Sequence, residues 1–281
     1  MSDESPIAPP SVPPYVQADA WTRLRAFTRA RIALGRAGHA QTTDTILAFG
    51  LAHAQARDAV HLPLDVEALE AGLRAAGHDS VRVHSAATDR AHYLRRPDLG
   101  RVLDDTSAAR LDAMRPAQPP DVVVVMADGL SALAAQRHAP PLLEALCARL
   151  RDIALGPVVI AGQSRVALGD DIGARLGARQ VVMLIGERPG LSSPDSLGIY
   201  LTYDPRPGRT DAERNCISNV RPEGLSYAQA ADKLVFLLRG AMALGRSGVD
   251  LKDDSSDLSL SPISSAPPTS AISPATPSSG T

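Results

Sequence analysis

Apolar residues in the first hundred positions of the chain recur with the spacing of a helix face. This periodicity predicts helices over three stretches: residues 21–38, 43–57 and 65–75. The first stretch carries five arginines beside its apolar stripe, and glycines stand at its end and after the third stretch, as at many helix ends. Residues 80–84 alternate between polar and apolar side chains, which indicates a short strand. We therefore predict a mainly helical N-terminal domain over residues 15–115.

From position 120 onward the pattern becomes that of an α/β fold. Residues 121–127 form a continuous Val-rich run, typical of a strand that is buried on both faces of a parallel sheet. Further strands are predicted at residues 158–161, 180–185 and 196–203, and helices at residues 140–151, 169–176 and 227–244. Because strands and helices alternate through short joints that contain glycine, we predict a Rossmann-like three-layer α/β domain with a mostly parallel sheet over residues 116–251.

Both ends of the chain differ in composition from the part between them. Residues 1–14 and 252–281 are rich in Ser, Pro, Thr and Ala and poor in large apolar side chains. Segments of this kind bury too little apolar surface to offset the entropy cost of ordering. We expect both segments to be disordered tails.

The charge balance and the cysteines narrow the class of protein. The 281 residues include 29 basic and 31 acidic side chains, so no overall positive field attracts nucleic acid or an anionic membrane. The two cysteines lie far apart and give neither a disulfide framework nor a metal-ligand spacing. The N-terminus lacks the pattern of an export signal, and no apolar run is long enough to span a membrane. We expect a cytoplasmic protein that binds neither nucleic acid nor membranes.

Loops at the carboxyl ends of the predicted strands are candidates for ligand binding, because open α/β sheets bind ligands there. In the first loop, Asp128 and Ser131 fit a turn and a helix cap, and the sequence D-G-L-S-A is not the nucleophile elbow of hydrolases. The second loop, residues 162–173, lacks the G-x-G-x-x-G order of a dinucleotide-binding loop. Its Asp170 and Asp171 are expected to stabilise the N-terminus of a helix.

A third loop, residues 186–196, is long, polar and punctuated by Pro and Gly, which is typical of a rigid loop that closely approaches a ligand. Further along, Cys216 lies in a dense polar segment. A single cysteine without a nearby histidine is more often a small buried residue than a nucleophile. The strand-end loops contain no recognisable catalytic set or metal-ligand set, so we predict neither catalytic residues nor metal ligands in this chain.

Four separate sequence blocks resemble those of one known family. They are T-R-A-R-I-A-L-G-R-A-G at residues 28–38, Y-L-R-R-P-D-L-G-R at 93–101, G-E-R-P-G-L at 186–191 and N-C-I-S-N at 215–219. With these blocks in this order, residues 21–244 resemble the small subunit of ethanolamine ammonia-lyase. Agreement of several separate blocks is more specific than any one short motif.

The resemblance implies a subunit of an enzyme that converts ethanolamine to acetaldehyde and ammonia with a radical derived from adenosylcobalamin. In this family the large subunit is a TIM barrel that binds ethanolamine, and the cobalamin lies between the large and small subunits. A higher-order hetero-oligomer is implied, in the cytoplasm or within a bacterial microcompartment. The chain lacks the sequence D-x-H-x-x-G, by which other cobalamin domains replace the lower cobalt ligand with histidine, so we expect the cofactor to bind base-on.

Three residues match positions that contact cobalamin in the family: Val166, Glu187 and Cys216. The resemblance implies that Val166 offers an apolar wall to the corrin, Glu187 a carboxylate acceptor for its amide side chains, and Cys216 a small packing group. Further candidates for the same crevice, for which the resemblance gives no direct support, are Asp128, Ser131, Arg188 and Ser193.

Two other functions stay open at this point. One is a stand-alone α/β enzyme or ligand-binding protein that uses the crevice at the strand ends for a phosphate or sugar ligand. The other is a purely structural cap on the large subunit that never contacts the cofactor.

Overall fold

The computed structural model of the chain describes residues 15–255. The first expected tail, residues 1–14, and residues 256–281 of the second lie outside the described part. At the start of the second tail, Asp253 accepts a hydrogen bond from Lys233 Nζ at 2.7 Å.

Eight strands and seven α-helices make up the regular structure of the described residues. The strands are β1 (Val16–Gln17), β2 (Arg36–Ala37), β3 (Ser80–His84), β4 (Val122–Ala127), β5 (Val158–Gly162), β6 (Gln180–Gly186), β7 (Leu197–Tyr203) and β8 (Arg214–Val220). The α-helices are α1 (Thr43–His61), α2 (Val66–Ala75), α3 (Arg90–Arg95), α4 (Asp105–Ala113), α5 (Ala132–Cys147), α6 (Leu168–Leu176) and α7 (Tyr227–Leu244). Short 3₁₀ helices lie at Thr22–Ala26, Leu99–Arg101 and Asp211–Glu213.

Six of the strands form one sheet in the order β3-β5-β4-β6-β7-β8. The first four in this order are parallel, whereas β7 and β8 are antiparallel to their neighbours. The prediction of a mostly parallel sheet is confirmed. β3 comes from the region expected to be mainly helical, and it pairs with β5 from Ser80↔Val158 to His84↔Gly162. The sheet therefore draws on both halves of the chain.

The Val-rich strand β4 separates two hydrophobic clusters. The face that packs with α2, α5 and α7 carries Val122, Val124 and Met126. The opposite face, which packs with α4 and α6, carries Val123, Val125 and Ala127. All six side chains are buried, as the continuous apolar run predicts for a strand covered on both sides. The three-layer α/β arrangement is thus confirmed.

The expectation of a helix over residues 21–38 is wrong. A 3₁₀ turn forms at Thr22–Ala26, and further on β2 pairs with β1 in a two-stranded sheet. The apolar stripe has little to pack against within the described chain, since Trp21 is 66% exposed and Phe27 is 86% exposed. Most helices in proteins are stabilised by burial of an apolar face rather than by propensity, and that burial is missing here.

Helix α5 begins earlier than the sequence pattern indicates. Two consecutive prolines, Pro140 and Pro141, lie inside it, and proline is typical of the first turn of a helix. The helix instead begins at Ala132, because Ser131 caps it by accepting the Ala134 N–H on its Oγ at 3.3 Å. The cap predicted at Ser131 is therefore confirmed.

Strand β8 is joined to α6 by a buried ion pair. Its sequence, R-N-C-I-S-N-V, is largely polar and resembles a loop. Only three of the seven strand residues are buried. One of them is Arg214, whose guanidinium donates to the Asp170 carboxylate at 2.6 and 2.7 Å and to Thr202 Oγ1 at 3.0 Å. Asp170 and Asp171 both lie in the first turn of α6, as predicted. Asp170 in addition anchors the edge of the sheet.

We expect Arg214→Met to lower the free energy of unfolding by about 3–5 kcal/mol, because it leaves the Asp170 carboxylate buried without its partner. Urea denaturation of the full chain measures this. Arg239→Met is the matched control, since Arg239 pairs with Asp152 at the surface, where the two side chains are 55% and 66% exposed. The control should cost less than about 1 kcal/mol. Equal losses for the two variants would contradict the role given to the buried pair.

Candidate functional site

A cleft opens at the carboxyl ends of the central parallel strands. β5 and β6 are the two neighbours of β4 in the sheet. The chain passes from β4 through α5 to β5, and then from β5 through α6 across to β6. Open α/β sheets bind ligands where the strand order reverses in this way. The cleft has a volume of about 430 Å³ and is lined by Tyr93, Gly129, Leu130, Arg165, Val166, Ile185, Gly186, Glu187, Arg188 and Tyr200.

Two glycines of the cleft bring the loops after β4 and β6 together. Gly129 has a φ of +54°, and a Cβ there would lie 2.2 Å from the carbonyl oxygen of Gly186. A Cβ at Gly186 would lie 2.0 Å from the carbonyl oxygen of Ser131. Only residues without a side chain fit so close an approach of two backbones. The two loops are therefore fixed relative to each other.

Glu187 follows directly after β6, and among the described residues one of its carboxylate oxygens has no hydrogen-bond donor. Oε2 accepts hydrogen bonds from Ser196 Oγ and from the Asn219 N–H, the latter at 3.4 Å. The Glu187 N–H also donates to the Ser196 carbonyl oxygen at 2.9 Å. No residue of the described chain donates to Oε1. The side chain is thus held in place with one acceptor oxygen available to a ligand.

Val166 lines the cleft. It lies in the loop after β5, which is held by hydrogen bonds to Asp128. The Asp128 carboxylate is buried and accepts the N–H groups of Gln163 and Ser164, each at 2.9 Å. Arg90 Nη1 donates to the same carboxylate at 3.3 Å. Burial raises the pKa of Asp128, while these donors act in the opposite direction by stabilising its charged form. The loop that carries Val166 is therefore anchored to the end of β4.

Cys216 is exposed on β8 and borders the cleft without lining it. It pairs in the sheet with Tyr200, whose side chain does line the cleft. The thiol lies 3.4 Å from Ser218 Oγ. The expectation that a lone cysteine is buried is wrong here, because β8 turns this side chain to solvent. Any packing role of Cys216 must involve another molecule.

Of the four additional candidates, only Arg188 lines the cleft. Arg188 is exposed and lines the cleft. Asp128 and Ser131 are buried beneath it, and Ser131 Oγ donates to the Pro194 carbonyl oxygen at 2.9 Å, which holds the third loop. Ser193 forms a tight turn with Gly190 through two main-chain hydrogen bonds of 3.0 and 3.1 Å and does not line the cleft.

Tyr93, Arg165 and Tyr200 line the cleft but were not identified from the sequence pattern. Tyr93 is fully buried on α3, its hydroxyl donates to the Ser164 carbonyl oxygen at 2.9 Å, and the Arg165 guanidinium lies over its ring at 4.4 Å from the centroid. A signal for Tyr93 was present, because it opens the sequence block at residues 93–101. Arg165 and Tyr200 carry no comparable motif. Arg165 is positioned by a main-chain hydrogen bond to the distant Gly100, and Tyr200 by its neighbours in the sheet, Met183 and Cys216.

The lining of the cleft offers groups that can recognise a ligand. It provides apolar walls, one carboxylate acceptor and two guanidinium groups. Over residues 15–255, no group of three or more His, Cys, Asp or Glu side chains is arranged to hold a metal ion. Across the same residues, none of the helices combines the length and the apolar character needed to cross a membrane.

Comparison with known proteins identifies the family. The family model of the ethanolamine ammonia-lyase light chain matches residues 18–252. Proteins named ethanolamine ammonia-lyase small subunit from Ralstonia nicotianae and Azotobacter vinelandii are 57% and 54% identical to the chain over 245 and 271 residues. These matches cover 86% and 95% of the chain, and 91% and 97% of the relatives. A protein of the same name from Xanthomonas campestris pv. campestris is 57% identical over 249 residues, 87% of the chain and 90% of the relative.

The resemblance predicted from the four sequence blocks is confirmed by these matches. The chain belongs to the ethanolamine ammonia-lyase light chain family.

Proposed function

We propose that the chain is the small subunit of an adenosylcobalamin-dependent ethanolamine ammonia-lyase and forms one wall of the cobalamin site at the interface with the large subunit. The observation that carries this proposal is the cleft at the strand ends, where Val166 and Glu187 line one space. When bound, adenosylcobalamin supplies the radical by which ethanolamine is converted to acetaldehyde and ammonia. This chain contributes binding and orientation.

The chemistry of the lining fits a corrin that carries amide side chains. Leu130, Val166 and Ile185 provide apolar surface for the ring. The free Oε1 of Glu187 can accept a hydrogen bond from an amide N–H group. Burial and the neighbouring Cys216 raise the pKa of Tyr200. The Tyr200 phenol is protonated at neutral pH, as an ordinary tyrosine is, and can donate to an amide carbonyl oxygen.

The two alternative functions, a stand-alone enzyme or ligand-binding protein and a purely structural cap, explain this cleft less well than a cofactor site does. A stand-alone enzyme would need an acid–base or nucleophilic set in the lining. The lining offers two phenols whose pKa values are both raised by burial, so they stay protonated at neutral pH and cannot accept a proton. Among the described residues of the lining, Glu187 has no histidine, cysteine or second carboxylate beside it to complete such a set. A purely structural cap does not explain why the Glu187 side chain is held in place with its other oxygen free.

The N-terminal arm, residues 15–61, is the surface that we assign to docking on the large subunit. α1 buries only Ala52 and Ala59 among its 19 residues. The arm exposes nine large apolar side chains, and an exposed apolar surface of this size is typical of a site of protein–protein contact. The exposed large apolar residues of the arm are Tyr15, Trp21, Leu24, Phe27, Ile32, Ile46, Leu47, Phe49 and Leu51.

The charge and the position of the arm support the same assignment. The arm carries six arginines and three aspartates, and a basic surface of this kind would suit a partner with an acidic patch. It also reaches the third loop, because Arg31 Nη2 donates to the Leu191 carbonyl oxygen at 3.3 Å. A cleft of about 760 Å³ lies against the arm. It is larger than the cleft at the strand ends, and we assign it to the docking surface because most of its lining belongs to the arm.

Other features implied by the family stay predictions. These are the base-on binding of the cofactor, the TIM-barrel fold of the large subunit, a higher-order hetero-oligomer, and a location in the cytoplasm or in a bacterial microcompartment. The contact of Cys216 with cobalamin stays a prediction as well, and its exposure on β8 is compatible with it.

We expect Glu187→Gln to weaken cobalamin binding to the reconstituted complex about tenfold to a hundredfold, because a hydrogen bond to a charged acceptor contributes about 1.5–3 kcal/mol. Spectroscopic titration with cobalamin measures the dissociation constant. Glu223→Gln is the matched control, since Glu223 is exposed in a turn outside the cleft. A changed Michaelis constant for ethanolamine with unchanged cobalamin binding would place Glu187 outside the cofactor site.

Phe27→Ser and Leu47→Ser should each weaken assembly with the large subunit about tenfold to a hundredfold, because burying a large apolar side chain contributes about 1.5–3 kcal/mol. Both side chains are largely exposed, at 86% and 67%, so the stability of the isolated chain should change by less than about 0.5 kcal/mol. Analytical ultracentrifugation of the mixed subunits provides the measurement. Val249→Ser, at a 74% exposed position outside the arm, is the control. Assembly that is equally tight for all three variants would show that the arm is not the docking surface.

A further inference from the structure

The cleft contains a guanidinium group whose position is fixed and whose buried Nε has no hydrogen-bond acceptor among the described residues. The Arg165 N–H donates to the Gly100 carbonyl oxygen at 2.8 Å, and its guanidinium lies over the Tyr93 ring at 4.4 Å from the centroid. A Cβ at Gly100 would lie 2.9 Å from Tyr93 Cε2 and 3.0 Å from Arg165 Cγ. Backbone, ring and glycine together therefore hold the side chain in one place.

No residue of the described chain satisfies the Arg165 guanidinium. Its Nε is buried and has no hydrogen-bond partner. The nearby Asp128 carboxylate accepts from Arg90 and from two main-chain N–H groups, and within the described chain no hydrogen bond joins it to the Arg165 guanidinium. A buried N–H donor without an acceptor is unfavourable. This points to an acceptor that arrives with another molecule.

The charge of the lining indicates what kind of acceptor that is. Two cations, Arg165 and Arg188, and one acid, Glu187, line the cleft, which gives the lining a net charge of +1. Glu187 already accepts two hydrogen bonds through Oε2. A planar guanidinium group matches the oxygens of a phosphate group, to which it can donate two parallel hydrogen bonds. A singly charged phosphodiester would neutralise the cleft.

We propose that Arg165, held against Tyr93, is the anion-binding residue of the cleft and that it binds the phosphodiester of the cobalamin nucleotide loop. This inference rests on the proposed function and deepens it, because that phosphodiester is the anionic group of the cofactor. Val166 and Glu187 then meet the corrin with its amides, and Arg165 meets the nucleotide loop. The three contacts together fix the orientation of the cofactor in the cleft.

The test compares three ligands on the reconstituted complex of large and small subunits, with binding measured by equilibrium dialysis and absorbance. Cyanocobalamin carries the phosphodiester and the lower base, cobinamide phosphate retains a phosphate without the base, and dicyanocobinamide lacks both. Arg165→Gln should bind cyanocobalamin and cobinamide phosphate about tenfold to a hundredfold more weakly than the wild type. Its affinity for dicyanocobinamide should equal that of the wild type.

Two further variants separate anion binding from a general effect on the loop. Arg165→Lys keeps the charge but loses the planar fork, and should restore part of the lost affinity for the two phosphate-bearing ligands. Arg95→Gln is the control, because Arg95 is exposed on α3 outside the cleft, and it should bind all three ligands like the wild type. If Arg165→Gln assembles poorly, the ratio of the three affinities in Arg165→Lys carries the test.

Several outcomes would overturn the inference. Equal losses for all three ligands would show that Arg165 only shapes the loop, and no loss for any of them would show that it makes no contact. Binding of inorganic phosphate at Arg165 that leaves cobalamin affinity unchanged would mean that the phosphate comes from another molecule. A wild-type complex that takes up none of the three ligands would refute the proposed function, and this inference with it.

Discussion

The rest of the site depends on the hydrogen bonds that the buried Asp128 carboxylate accepts. It accepts the Gln163 and Ser164 N–H groups at 2.9 Å each and the Arg90 guanidinium at 3.3 Å. Without these donors a carboxylate would be too unfavourable to bury at this depth. With them, it fixes the end of β4, the loop after β5 and the start of α3 relative to one another. The position of Val166 at the cleft follows from this network.

The same network joins the cleft to the N-terminal arm. Arg90 Nε donates to the Val60 carbonyl oxygen at 2.7 Å, in the last turn of α1, while Arg90 Nη1 donates to Asp128 and to the Gly129 carbonyl oxygen at 2.9 Å. One guanidinium therefore connects the surface assigned to docking with the loops that line the cleft. Under the proposed function, the docking surface and the cleft must keep a fixed relation to each other, and this contact supplies it within the chain.

The sequence predicted those features of the fold that local patterns determine. The apolar run of β4 and the bounds of α7 at Tyr227–Leu244 were found because burial and periodicity coincide there. The expected helix over residues 21–38 does not form, because its apolar stripe is not covered by the described residues. The role of Asp128 was missed because its partner lies far away in sequence, since Ser164 is separated from it by 36 residues. β8 was missed because its sequence lacks the apolar alternation of a strand, with only Arg214, Ile217 and Val220 buried.

The most direct test of the account is a titration of cobalamin into the large subunit, with and without this chain, followed by its absorbance spectrum. If the chain forms one wall of the cofactor site, tight uptake should require both subunits, and the large subunit alone should bind cobalamin only weakly. Equal affinity in the presence and absence of the chain would contradict the account, because the cleft at the strand ends would then contribute nothing to holding the cofactor.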